Sequence, residues 1–186
     1  VQTCALPISV IAPVAWWCAA IGTAMITLSP ITGEWEVVKS NYIPVLFNGM
    51  FFFGLTLVAA AILLVSLHVL IVATRFELKH ASRIADMGWV VVALILLVAL
   101  CMFYLSGEGI PAGLSHDEFY EMLFWGGGHT LQFAFTMVMM LAWLVLSSHV
   151  IRKPLAPNWL LVILWLISLG AATAPLYAYM QYTVDD

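Results

Sequence analysis

Long apolar runs, broken by short polar clusters, dominate the chain. A helix that crosses a bilayer needs about 20 mainly apolar residues, because the hydrocarbon is roughly 30 Å thick and each residue rises about 1.5 Å. Five runs meet this requirement, at about 10–28, 42–73, 87–105, 118–150 and 158–179. The first stops at Ser29-Pro30, and the second is long enough to tilt or to extend beyond the hydrocarbon. The fourth carries the triplet Gly126-Gly127-Gly128, and Pro175 is expected to kink the far end of the fifth. The pattern predicts an all-α, polytopic transmembrane bundle of about five helices. Residues 9–186 then form one partial helical domain, with no linker long enough to divide it. Residues 1–8, Val1-Gln2-Thr3-Cys4-Ala5-Leu6-Pro7-Ile8, read as the translation of a sequencing-adapter oligonucleotide and are set aside from the fold. On that reading the native chain extends upstream, and Asp185-Asp186 closes on no evident terminal structure.

Composition agrees with this pattern. The chain is 64% hydrophobic and 9% charged, against roughly 45–50% and about 25% in soluble domains. So little polar surface excludes a water-soluble fold and makes the lipid bilayer the expected solvent. The net charge of −4 is uninformative about partners in such a chain, and no basic cluster suggests nucleic acid. Where the charges sit is more telling. Arg75, Lys79 and Arg83 lie between the second and third spans, Arg152 and Lys153 between the fourth and fifth, and Lys39 on the opposite side. Five of the six basic residues therefore share one side, which places the loops at 74–86 and 151–157 in the cytoplasm. The loop from Gly107 to Tyr120 faces outward, and a bacterial-type cytoplasmic membrane is the expected location. Trp16, Trp17, Trp89 and Trp159, near span ends, suit interfacial belts. Cys4, Cys18 and Cys101 show no paired spacing, and cysteine among apolar residues behaves as a small hydrophobe.

Candidate chemistry concentrates in Asp117-Glu118-Phe119-Tyr120-Glu121-Met122-Leu123-Phe124-Trp125-Gly126-Gly127-Gly128-His129-Thr130-Leu131-Gln132-Phe133. Three glycines within a helix each cost about 1 kcal/mol relative to alanine, but they let another body approach the backbone closely. A neighbouring helix or a cofactor is expected to press on this turn. His129 follows at once, about nine residues or roughly 13 Å into the span. An ionisable residue at that depth is expected to face the bundle interior and to have a partner. Helical spacing puts Trp125, His129, Gln132 and Thr136 on one stripe. Two readings follow from the residues alone: His129 as a neutral imidazole ligand to a metal, or His129 as a structural hydrogen-bonding residue between helices.

The run Leu123-Phe124-Trp125-x-x-Gly128-His129, preceded by an acidic outer loop, resembles the sixth helix of haem-copper oxidase catalytic subunits. In that family the histidine after Phe-Trp-x-x-Gly ligates the copper of the gas-reducing centre. The resemblance implies that His129 is a copper ligand, with Trp125 and Gln132 near the site. It also implies that the five spans are similar to helices three to seven of a twelve-helix subunit. The direction of the fourth span, from outside to inside, matches, and Asn41-Tyr42-Ile43-Pro44-Val45 is reminiscent of the entry to the family's fourth helix. The implied function is respiratory electron transfer with reduction of oxygen or nitric oxide, using haem and copper. The implied partners are other oxidase subunits and a cytochrome c or quinol donor, and the 186 residues alone are expected to be inactive.

The chain also departs from the family pattern. Where many oxidases follow Gly-His with Pro-Glu-Val-Tyr, Leu131 and Phe133 replace the glutamate and the tyrosine. That places the chain nearer the cbb3-type oxidases and nitric oxide reductases, which lack this tyrosine. The family's next helix carries an adjacent histidine pair that completes the copper site, whereas the fifth span and its continuation offer Pro175, Tyr177, Tyr179, Gln181 and Tyr182. Of the other histidines, His80 and His116 are expected in solvated loops. His68 and His149 fall near the cytoplasmic ends of the second and fourth spans, where a facing pair can hold a b-type haem or snorkel to the headgroups. Met137, Met139 and Met140 read as packing residues. The alternatives kept open are a b-type cytochrome-like electron carrier and a non-catalytic membrane subunit or transporter.

Overall fold

The computed structural model describes residues 6–32, 36–39, 44–75 and 83–181. Its first helix, α1 (Leu6–Leu28), keeps Pro13 in its interior, as membrane helices can where neighbouring groups satisfy the freed carbonyl. Pro30 cannot donate a backbone hydrogen bond, and the helix ends in a single 3-10 turn, Ser29–Ile31. The buried Ser29 hydroxyl donates back to the Ile26 carbonyl at 2.8 Å, and Thr32 closes on Ser29 at 2.9 Å.

Two strands follow, β1 (Glu36–Lys39) and β2 (Pro44–Phe47), paired antiparallel with Glu36 opposite Phe47 and Lys39 opposite Pro44. This corrects the expected second span, which begins at Gly49 rather than at Tyr42. The cause is local. The Asn48 side-chain oxygen accepts the Met50 N–H at 2.7 Å and the Phe51 N–H at 3.4 Å. This is the capping geometry of a helix that starts just after Asn48. Residues before such a cap are extended, and the alternation of a strand buries Val38 and Leu46 while exposing Val37 and Phe47.

The remaining helices are α2 (Gly49–Arg75), α3 (Arg83–Gly109), α4 (His116–Ile151) and α5 (Asn158–Gln181). All begin or end within a few residues of the expected spans, the start of α2 apart. Pro175 lies inside α5 without ending it. With α1 they make five helices long and apolar enough to cross a membrane, and the chain is a multi-pass membrane protein in contact with the lipid bilayer. Trp89 and Trp159 are exposed near helix ends, as interfacial residues are, whereas Trp16 and Trp17, also exposed, lie at the middle of α1 rather than near a span end.

Glycine governs how closely the helices meet. A Cβ on Gly22 of α1 would lie 2.7 Å from the Gly54 carbonyl oxygen of α2, and one on Gly54 would lie 2.8 Å from the Gly22 oxygen. The two backbones therefore touch, in the small-residue mode of membrane helix packing. The central helix is α3, which contacts α2, α4 and α5. Its Gly88 leaves room for Leu141 of α4 and Trp165 of α5, which join Val92, Ile95 and Ala134 in one core. A second core lies at the end that carries the strands, where Val38 and Leu46 meet Phe51, Tyr120 and Phe124.

Candidate functional site

The site is built on α4. Its start is set by Ser115, which sits extended before the helix, and Glu118, whose carboxylate accepts the Ser115 N–H at 3.0 Å and hydroxyl at 2.6 Å. Asp117 and Glu118 in the first turn also complement the helix dipole. Two turns of aromatic packing follow. Tyr120 is fully buried, stacks on Phe52 (5.5 Å between ring centroids) and Phe124 (5.8 Å), and donates its hydroxyl to the Leu46 carbonyl at 3.3 Å. Here the structure also corrects an expectation: His116 is not a solvated loop residue. It opens α4, half-buried, with its ring stacked on Phe47 at 3.8 Å.

Deeper in the membrane α3 grips α4 on one face. A Cβ on Gly127 would fall 2.5 Å from the Phe103 ring, so Phe103 occupies the space that any larger residue would need. This is the close body expected at the glycine triplet, and it is a neighbouring helix. One turn on, the buried Thr130 hydroxyl lies 3.0 Å from the Met102 sulfur and 3.1 Å from the Gly126 carbonyl, both of which can accept it.

Turning α4 away from α3 brings up the stripe of Trp125, His129, Gln132 and Thr136. The rings of Trp125 and His129 meet edge to face, 4.8 Å apart. The Thr136 hydroxyl donates to the Gln132 carbonyl at 2.8 Å. The spacing argument placed these residues together correctly, but not their direction. Trp125 is 49% exposed, Gln132 and Thr136 are exposed, and His129 is half-buried. The stripe looks outward from the other four helices, because Tyr120, Gly127, Thr130, Ala134 and Leu141 take the opposite side of α4 into the cores. Beside it, Gly128 has open space where a Cβ would be. With α4 beginning at His116, His129 lies thirteen residues in, about 20 Å from the start of the helix rather than 13 Å.

The other candidates are dispersed. His68 sits on α2 with its Nδ1 buried and without a hydrogen-bond partner among the described residues. His149 is exposed in the last turn of α4. The two helices meet near the end of the bundle that carries the strands, where Phe52 stacks on Tyr120; α2 packs chiefly on α1 and then on α3, and α4 chiefly on α3. Among the described residues, no three His, Cys, Asp or Glu side chains gather as a metal cage. His129 thus offers one ligand nitrogen, and these residues do not complete a copper site by themselves. Met137 is core, as expected, while Met139 is exposed. Cys18 and Cys101 are free thiols. His80 and Cys4 lie outside the described residues.

Comparison with known proteins gives relatives that are themselves uncharacterized. An uncharacterized protein of Rickettsia prowazekii (strain Madrid E) is 28% identical over 171 residues, covering 90% of this chain and 33% of its own length. An uncharacterized protein of Aquifex aeolicus (strain VF5) is 28% identical over 146 residues, covering 78% of this chain and 37% of its own. The chain thus spans about a third of the length of the curated relatives it matches. No family model matches, and neither does any solved structure.

Proposed function

We propose that this chain is part of a haem-copper oxidase-like catalytic subunit, in which His129 is a copper ligand. The observation that carries the reading is the Phe124-Trp125-x-x-Gly128-His129 run on a membrane-spanning helix, with the His129 imidazole held against Trp125 at 4.8 Å. Copper and haem, when bound, supply the redox chemistry that reduces oxygen or nitric oxide. The remaining copper ligands come from outside the described residues, as do the haem ligands. What this chain contributes is an imidazole packed against the Trp125 indole, on a helix whose rotation α3 fixes through Phe103 and Met102. A bacterial-type cytoplasmic membrane, with Arg152 and Lys153 inside, fits the charge distribution. Cytochrome c or a quinol is the proposed electron donor.

The test is to express the complete gene in membranes and record reduced-minus-oxidised and carbon monoxide difference spectra beside a copper assay. The reading predicts haem signals, a carbon monoxide shift and about one copper per protein. Haem without copper or carbon monoxide binding would favour a b-type cytochrome instead. That second reading draws on the buried, unpartnered Nδ1 of His68; it predicts that His68→Ala loses haem and His129→Ala does not. A preparation without any haem would contradict both.

A further inference from the structure

Serine and threonine in these spans solve their hydrogen bonding locally. The hydroxyls of Thr27, Thr56, Ser66, Thr136, Ser168 and Thr173 each donate to the carbonyl four residues earlier, at 2.8–3.0 Å. Each can face hydrocarbon without an unmet donor. Gln132 cannot do this. Its amide carries two donors and an acceptor with two lone pairs, and no hydrogen bond among the described residues engages it. Gln132 is exposed on the outward face of α4, within two residues of the middle of a 36-residue helix. Trp125 and Trp143, exposed on that same face, bracket it at a separation of about 27 Å, close to the thickness of the hydrocarbon. An amide at that depth against acyl chains would leave all its hydrogen bonds unmade.

We infer that the outward face of α4, centred on Gln132, is an intramembrane contact with another transmembrane helix of the same polypeptide, one that presents a polar group to the amide. Three observations define the partner. It carries a hydrogen-bonding group at mid-membrane depth, because that is what Gln132 lacks. It approaches closely beside Gly128, where a Cβ would meet open space. It belongs to the same polypeptide, because the matched region is only 33% and 37% of the two relatives, so most of each lies elsewhere. This inference stands whether or not copper binds at His129.

The test is photo-crosslinking in native membranes of the full-length protein, with p-benzoylphenylalanine at Thr136 or Met139, so that Gln132 stays intact. The expected product is a monomer-mass adduct joining α4 to a peptide from outside residues 6–181. Its yield should fall several-fold in Gln132→Leu. A crosslinker at Phe103, which contacts Gly127, reports in the same variant that α3 and α4 still pack. Adducts to lipid alone would overturn the inference. So would a dimer-mass adduct between two copies of this segment, which would make the partner a second chain. An unchanged yield in Gln132→Leu, with α3–α4 packing intact, would overturn the role given to the amide.

Discussion

Gly127 and Gly128 are neighbours in sequence but not in environment. A side chain on Gly127 would strike the Phe103 ring, whereas one on Gly128 meets nothing within the described residues. Gly127→Ala should therefore destabilise the α3–α4 pair by about 1–3 kcal/mol, the usual cost of overpacking. Phe103→Ala should recover part of that loss in the double variant, because the two residues are in contact and their effects couple. Thermal unfolding of the purified protein in detergent would read both effects; strictly additive losses would contradict the contact. Tyr120→Phe removes the hydroxyl that reaches the Leu46 carbonyl, with an expected loss of about 1 kcal/mol. Faster hydrogen exchange at residues 44–47 should accompany it. At this scale the sequence was informative where chemistry is local. Trp125 beside His129 follows from spacing alone; the glycine triplet signalled a close neighbour at Gly127 without identifying Phe103, and the Phe47–His116 contact, between residues far apart in the chain, left no local mark.

Two of the helices begin where a cap allows it. Asn48 starts α2 through two backbone N–H groups, and Ser115 with Glu118 starts α4. Asn48→Ala should cost about 1 kcal/mol and fray the first turn of α2, measurable as raised hydrogen exchange at Met50 and Phe51. Unchanged protection there would argue against the cap. The same residue explains the missed hairpin. Only Asn48-Gly49 separates Val45-Leu46-Phe47 from the apolar block of α2, so hydrophobicity alone carries the helix back to Tyr42; that dipeptide is the boundary signal. The direction of the His129 stripe was equally illegible. Large apolar residues such as Phe135, Val138 and Leu146 lie exposed on α4 while others are buried, so hydrophobic patterning does not distinguish the face that meets α3 from the face that leaves the bundle. Only packing does so, through the glycine at 127 and the small Ala134.

Across the whole molecule, length and apolarity made the five-helix membrane architecture readable before any contact was known. What patterning could not supply was the order of packing: α1 against α2 through Gly22 and Gly54, with α3 holding α2, α4 and α5 together. In that arrangement the residues with metal chemistry end up on the outside of the described bundle. The stripe at the middle of α4 faces away from the rest of the described bundle, and on the inference above another transmembrane helix completes that face. The haem-copper reading names the ion that His129 serves there. The most direct measurement is the copper-to-haem ratio of the full-length protein purified with and without His129→Ala. The account predicts about one copper per protein in the parent and near-complete loss in the variant, with haem largely retained. Equal copper in both would contradict the assignment and leave His129 as a residue that ties helices together.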